Sequence, residues 1–176
     1  MKKNNVRATF FTLGKTKYEE TYKRIVNEDH TLANHTYTHG WNRGLYTNTN
    51  TFMDAIKKQE NLIKEKTGVT TNIARFPGGS STPGATKGKA MKQALYKAGY
   101  GWVDWTASDG DGGSLPNYAT GMKNFKGTIN DKIEVVLFHD YHQVTTAMLP
   151  EVIKYLRNNN YLVLPLFYES VMVHKA

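Results

Sequence analysis

A chain of 176 residues with 39% apolar and 12% aromatic side chains can bury one full core, unlike a disordered chain, and is short for two domains, so a single domain over residues 1–176 is expected. Its net charge of +8 comes without a tight Lys/Arg block interleaved with aromatics, which argues against specific nucleic-acid binding and leaves attraction to an anionic cell-envelope polymer. The absence of cysteine removes disulfides, thiolate catalysis and thiolate zinc sites, and no apolar run reaches the ~20 residues needed to span a membrane.

Met1-Lys2-Lys3 runs into Asn4-Asn5 rather than an apolar stretch, so no signal peptide is expected here. Val6 to Leu13 is β-branched and aromatic and reads as a buried strand. Tyr18 to Glu28 reads as a helix with Tyr22, Ile25 and Val26 on one face, and Thr31 to Asn34 as a short strand. Thr51 to Thr67 is the clearest helix, with Phe52, Ile56, Leu62 and Ile63 at helical spacing and Gly68 ending it. Ile73 to Phe76 reads as a strand leading into the turn Pro77-Gly78-Gly79. A helix over Lys87 to Ala98, closed by Gly99, precedes an aromatic-rich strand over Tyr100 to Trp105. Ser108 to Asn117 is a polar, glycine-rich loop, followed by a weak helix over Tyr118 to Phe125. Glu134 to His139 reads as a buried strand, Leu149 to Asn158 as a helix and Tyr161 to Leu166 as the last strand. Repeated strand-then-helix order within one domain predicts an α/β fold with a parallel sheet, open or barrel-like.

In such folds sites form at the carboxyl ends of the strands, and the unusual polar residues fall there. His35 and His39 follow the second strand, Arg75 to Gly79 ends the third, Asp104 and Trp105 end the fourth, and His139 and Asp140 end the fifth. On a helical turn, residues i and i+4 share a face, so both imidazoles of Asn34-His35-Thr36-Tyr37-Thr38-His39 can point at one ion. Imidazole suits zinc, iron, nickel or copper. Each cluster alone has a bland reading: a chance spacing, a tight turn with a surface arginine, a core tryptophan, a local histidine, or Asp109 and Asp111 solvating a loop. Together they supply a metal pair, a further imidazole, a carboxylate and a charged anchor, the parts of a metal-assisted hydrolase.

From about Asn4 to Phe167 these residues resemble the polysaccharide deacetylases of carbohydrate esterase family 4, the NodB-homology domain. Ala8-Thr9-Phe10-Phe11 is similar to the family's second-strand signature. Asn34 to His39 resembles its second motif, Arg75-Phe76-Pro77-Gly78-Gly79 its third, Val103-Asp104-Trp105 its fourth and Leu137-Phe138-His139 its fifth. The resemblance implies a distorted (β/α) barrel and a metal-dependent hydrolase. The reaction implied removes acetyl groups from N-acetylated (or O-acetylated) cell-wall polysaccharide such as peptidoglycan or chitin. The place implied is the exterior or cell envelope of a bacterium. It further implies that His35 and His39 bind a divalent metal, usually zinc, that His139 is the general acid, and that Arg75 and Asp104 join it as catalytic groups. By the same resemblance the Gly78 N–H faces the oxyanion, Trp105 and Leu137 pack around the acetyl methyl, and Tyr37 or Trp41 stacks on a sugar.

The family's first motif, Thr-Phe-Asp-Asp-Gly, does not occur, and no adjacent Asp-Asp pair exists anywhere in the chain. Its two aspartates are implied to be the general base and the third metal ligand. The chain is therefore expected to lack the barrel's first strand, to be weak or inactive alone, and to expose the edge of Val6 to Leu13, inviting strand exchange or dimerisation. The alternative is a non-catalytic module that binds wall glycan through aromatics and positive charge. Ser108 sits where many relatives carry the aspartate that pairs with the third-motif arginine, so Arg75 is expected to pair with Asp104, Asp109 or Asp111 instead.

Overall fold

A computed structural model describes residues 1–114, 117–170 and 174. Strand and helix alternate in the order β1 (Thr9–Thr12), α1 (Glu19–Asn27), β2 (Thr31–Asn34), α2 (Thr49–Thr67), β3 (Ile73–Ala74), α3 (Ala85–Lys97), β4 (Gly101–Trp102), β5 (Ala107–Ser108), α4 (Tyr118–Thr128), β6 (Val136–Leu137) and α5 (Gln143–Asn158). The chain divides into two compact units: Arg7–Asp104 with Pro165–Ala176, and Trp105–Leu164 with Met1–Val6.

The first unit carries a four-stranded sheet in the order β1-β2-β3-β4, every pair parallel. Thr9 faces Thr31 and Thr12 faces Asn34 along the longest ladder, and Asn34 also faces Ala74. Consecutive parallel neighbours need crossover helices, which the intervening segments supply. Helix α2 is fixed at both ends: the Asn48 side chain accepts the Thr51 N–H at 2.9 Å, and Gly68 takes the left-handed conformation. Its inner face joins Phe52 and Ile56 to Phe76, Met91 and Leu95, with the Phe52 and Phe76 rings stacked at 4.8 Å. Asn48→Ala should lower folding stability by about 1 kcal/mol. Denaturant unfolding checks this, and an unchanged midpoint would show that the cap contributes nothing.

The second unit holds a two-stranded parallel sheet, with Ala107 facing Val136 and Ser108 facing Leu137. Helices α4 and α5 close over Met122, Phe125, Met148, Val152 and Leu156. Residues Lys2–Asn4 form one 3-10 turn, and Arg157 donates to the main-chain oxygens of Asn4 and Asn5 at 2.9 and 3.1 Å.

Four expectations change. The strands are shorter than their apolar runs, the ladder of Val6 to Leu13 being only Thr9–Thr12. Ala107 and Ser108, expected in or beside the glycine-rich loop, form a strand because β6 supplies a parallel partner; Leu115 and Pro116 of that loop lie outside the described residues. The helix expected from Leu149 starts at Gln143 and runs through Pro150. Its early turns are held by buried Thr145 and Met148, which offset the hydrogen bond lost at proline. Tyr161 to Leu166 is not a strand. Pro165 has no N–H to give, and Leu166 bonds side chains instead: its N–H goes to Thr9 Oγ1 and its oxygen accepts from Thr31 Oγ1. No helix among the described residues is long and apolar enough to cross a membrane.

Candidate functional site

The histidine pair sits on an irregular loop after β2, not on a helical turn. Asn34 shapes that loop. Its buried amide donates to the Ile56 oxygen of α2 and accepts the Thr36 N–H, both at 2.9 Å. Thr36 and His39 take left-handed backbone angles, φ 65° and 52°, and a β-branched residue holds such an angle only when its surroundings impose it. The result brings the His35 and His39 rings to 4.9 Å between centroids. Two imidazoles on one tetrahedral zinc, each bound at ~2.1 Å, have centroids about 5 Å apart. His35 Nδ1 lies 2.8 Å from the Arg75 main-chain oxygen. A carbonyl only accepts, so Nδ1 carries the hydrogen and the lone pair is on Nε2, as when a metal-binding histidine gives its other ring N–H to a carbonyl or carboxylate. The donor set therefore fits two positions of a zinc ion. Among the described residues, no group of three or more His, Asp or Glu forms a metal site.

Arg75 is buried, with Nε and Nη2 directed to the main-chain oxygens of Val103 and Asp104 at 3.3 and 3.2 Å, and its guanidinium carbon lies 4.1 Å from the Phe11 ring centroid. Burial pulls its pKa down to about 10 while the Asp104 charge opposes the shift, so it remains a cation at neutral pH. Asp104 is 0% exposed and braces the following turn: its carboxylate accepts the Ser80 N–H at 2.8 Å and the Ser80 hydroxyl at 2.6 Å. Gly78 lies exposed on that turn with φ 78°, an angle glycine tolerates. Tyr37 is half-buried, with Lys58 Nζ 4.1 Å over its ring, and Trp41 is 48% exposed. A cavity of about 520 Å³ opens beside Tyr37, with Lys15 and Arg43 in its lining.

In the Trp105–Leu164 unit, His139 is held at two points by one carboxylate. Asp111 accepts the His139 main-chain N–H and contacts Nδ1, both at 2.7 Å. That fixes Nδ1 as the hydrogen-bearing nitrogen beside an anion and leaves Nε2 for proton transfer. Burial alone raises the Asp111 pKa, but hydrogen bonds from His139 and Thr145 outweigh it and hold the carboxyl below its usual range. A depressed carboxylate pKa adds stability above the unfolded value near 3.9, lost as pH falls through the folded value. Asp111→Asn should therefore destabilise the protein at neutral pH, and the gap from the parent should close on acidification below about pH 4. Thermal melts across pH check this; a gap that widens in acid would contradict it. Trp105 and Leu137 are both half-buried.

Sequence reading missed Asp111 as the partner of His139 and left Asp109 and Asp111 as loop solvation or partners for Arg75. Both are buried, at 0% and 1% exposure. The signal available was two aspartates spaced by one glycine in a loop that follows a strand, and spacing alone does not show which side faces inward.

The family model described as polysaccharide deacetylase matches residues 1–100. The chain is similar to a peptidoglycan-N-acetylglucosamine deacetylase of Bacillus cereus, 27% identical over 168 residues covering 92% of this chain and 60% of that protein. A peptidoglycan-N-acetylglucosamine deacetylase of Listeria monocytogenes is 25% identical over 163 residues, covering 92% of this chain and 32% of its own length. The chain thus spans 60% or less of these two curated relatives. The crystal structure of the catalytic domain of peptidoglycan N-acetylglucosamine deacetylase from Eubacterium rectale superposes with a TM-score of 0.88 at 30% identity, covering 99% of this chain and 83% of that one. At that likeness the fold is the parallel α/β architecture of NodB-type catalytic domains.

Proposed function

Because the chain belongs to the polysaccharide deacetylase family, we propose that it removes acetyl groups from N-acetylated cell-wall polysaccharide, with a zinc or similar divalent ion held by His35 and His39. One observation carries the reading: two imidazoles 4.9 Å apart, the first oriented through its Nδ1 by the Arg75 carbonyl. The names of the relatives favour peptidoglycan as the glycan and the bacterial cell envelope as the place. The net charge of +8 favours the same anionic surroundings.

Zinc, when bound, supplies Lewis acidity that polarises an amide carbonyl and brings a water's pKa to about 7. The chain's own groups then have separate tasks. The Gly78 N–H is offered to the oxyanion of the tetrahedral state, a type of contact worth roughly 3–4 kcal/mol. His139, protonated, gives a proton from Nε2 to the leaving amine while Asp111 holds Nδ1–H. Leu137 and Trp105 shape the acetyl pocket, and Tyr37 or Trp41 offers a ring to a sugar face. The attacking water also needs a base. The family's base is an aspartate of the Asp-Asp motif, which these 176 residues do not contain, so release by this chain is expected to be slow.

The test is acetate release from N-acetylated chito-oligosaccharide by the zinc-loaded chain. Slow release that EDTA stops, and that His139→Ala reduces about 100-fold, is expected. Release indifferent to both would overturn the reading. The second reading, a wall-binding module, has one observation in its favour: among the described residues no group of three metal ligands forms. It predicts salt-sensitive retention on peptidoglycan with no acetate at all.

A further inference from the structure

In the Trp105–Leu164 unit, one hydroxyl lies between two buried carboxyl groups. Thr145 Oγ1 of α5 lies 2.8 Å from Asp111 Oδ2 and 3.0 Å from Asp109 Oδ2. A hydroxyl has a single hydrogen, so it donates to one of them and must accept from the other. Asp111 already accepts two hydrogens from His139, as an anion does. The remaining arrangement that satisfies every atom has Asp109 as an acid, donating to Thr145, which donates to Asp111. The other Asp109 oxygen accepts the Asp111 N–H at 3.1 Å.

We propose that Asp109 keeps its proton in the working protein and, through Thr145, positions and tunes the Asp111–His139 pair. Burial supports the same arrangement. Both carboxyls are almost wholly buried, where a second negative charge a hydroxyl's width from the first is costly. Burial, chiefly, and the Asp111 charge raise the Asp109 pKa above its ordinary value, against the opposing hydrogen bonds from Asp111 and Thr145. The groups facing Asp109 are Asp111 from its own loop, Thr145 from α5 and the amide of Asn124 from α4, which donates to the Asp109 main-chain oxygen at 2.9 Å. Asp111 in turn faces His139, whose ring lies 5.5 Å from Tyr141 and 6.4 Å from His142.

The consequence concerns the strength of the acid. A neutral donor behind Asp111 draws charge away from the oxygens that hold His139, so the imidazolium releases its proton more readily than beside an unassisted carboxylate. The inference rests on reading His139 as the proton donor, and Asp109 is a positioning residue because it acts through Thr145.

Carbon-detected NMR titration of the Asp109 carboxyl, with nitrogen-detected titration of His139, tests it on the chain as it stands. Asp109 should titrate well above the ~3.9 of an ordinary aspartate. Asp109→Asn, whose amide donates to Thr145 and accepts from Asp111 as the neutral acid does, should leave the His139 pKa within about 0.2 units and gain stability over the parent as pH rises above about 4. Thr145→Val, which keeps the shape and removes the bridge, should raise the His139 pKa. An Asp109 that is already ionised at neutral pH, a His139 pKa that falls by about half a unit or more in Asp109→Asn, or no shift in Thr145→Val would each overturn the proposal. None of these readings requires acetate release, so failure here leaves the deacetylase reading to its own assay.

Discussion

Replacing His35 and His39 together by alanine should abolish zinc binding, measured by calorimetry or by the visible absorption of bound cobalt(II). Removing the group that holds a metal-binding histidine's other ring nitrogen typically weakens affinity roughly 10–100-fold; removing a ligand itself should exceed ~100-fold, and removing both leaves no donor pair. The fold should survive, because both side chains are half-buried on a loop rather than in a core cluster. Circular dichroism of the double variant checks that point. Unchanged zinc affinity in a folded double variant would place the metal elsewhere. Asn34→Ala should weaken zinc less, since it loosens the Thr36 angle and keeps both imidazoles.

Acetate release should rise roughly 10²–10⁴-fold when the chain is preceded by a strand bearing Thr-Phe-Asp-Asp-Gly, the range expected for a positioned general base. The first aspartate would take the proton of the attacking water, and the second would add a carboxylate to the two imidazoles. A carboxylate with two histidines is a familiar three-ligand zinc set, so zinc affinity should tighten in the same protein. If rate and affinity both stay at the level of the unextended chain, the Asp-Asp motif is not what these residues need.

Much of the fold was legible because its signals are local. The periodicity of Phe52, Ile56, Leu62 and Ile63, with Gly68 after, placed α2 within a few residues, while its Asn48 cap was not read. Thr31 to Asn34 matched its strand span throughout. What was illegible depended on partners. Ala107 and Ser108 become a strand only because Val136 and Leu137 lie alongside. Tyr161 to Leu166 has strand-like composition but Pro165 in its path and Thr9 and Thr31 side chains as partners. The start of α5 depends on Thr145, whose hydroxyl is bound by two distant aspartates.

The site was legible as residue types and order, less so as geometry. His35 and His39 do come together, but through left-handed Thr36 and His39 and a buried Asn34 rather than through helical spacing. Arg75 is held by main-chain oxygens with the Asp104 charge beside it, while the Asp104 carboxylate clamps Ser80. The carboxylate that orients His139 is Asp111, in a loop whose composition looked solvent-facing. Burial decided that role, and burial is set by α5 packing over the loop from more than thirty positions away.

Zinc-dependent deacetylation is tested by acetate counted by NMR from N-acetylated peptidoglycan fragments. The chain carrying the added Asp-Asp strand would be assayed with zinc, with EDTA, and with zinc restored. Acetate is expected with zinc, none with EDTA, and recovery on adding zinc back. No acetate from the zinc-loaded protein, or equal release in EDTA, would contradict zinc-dependent deacetylation.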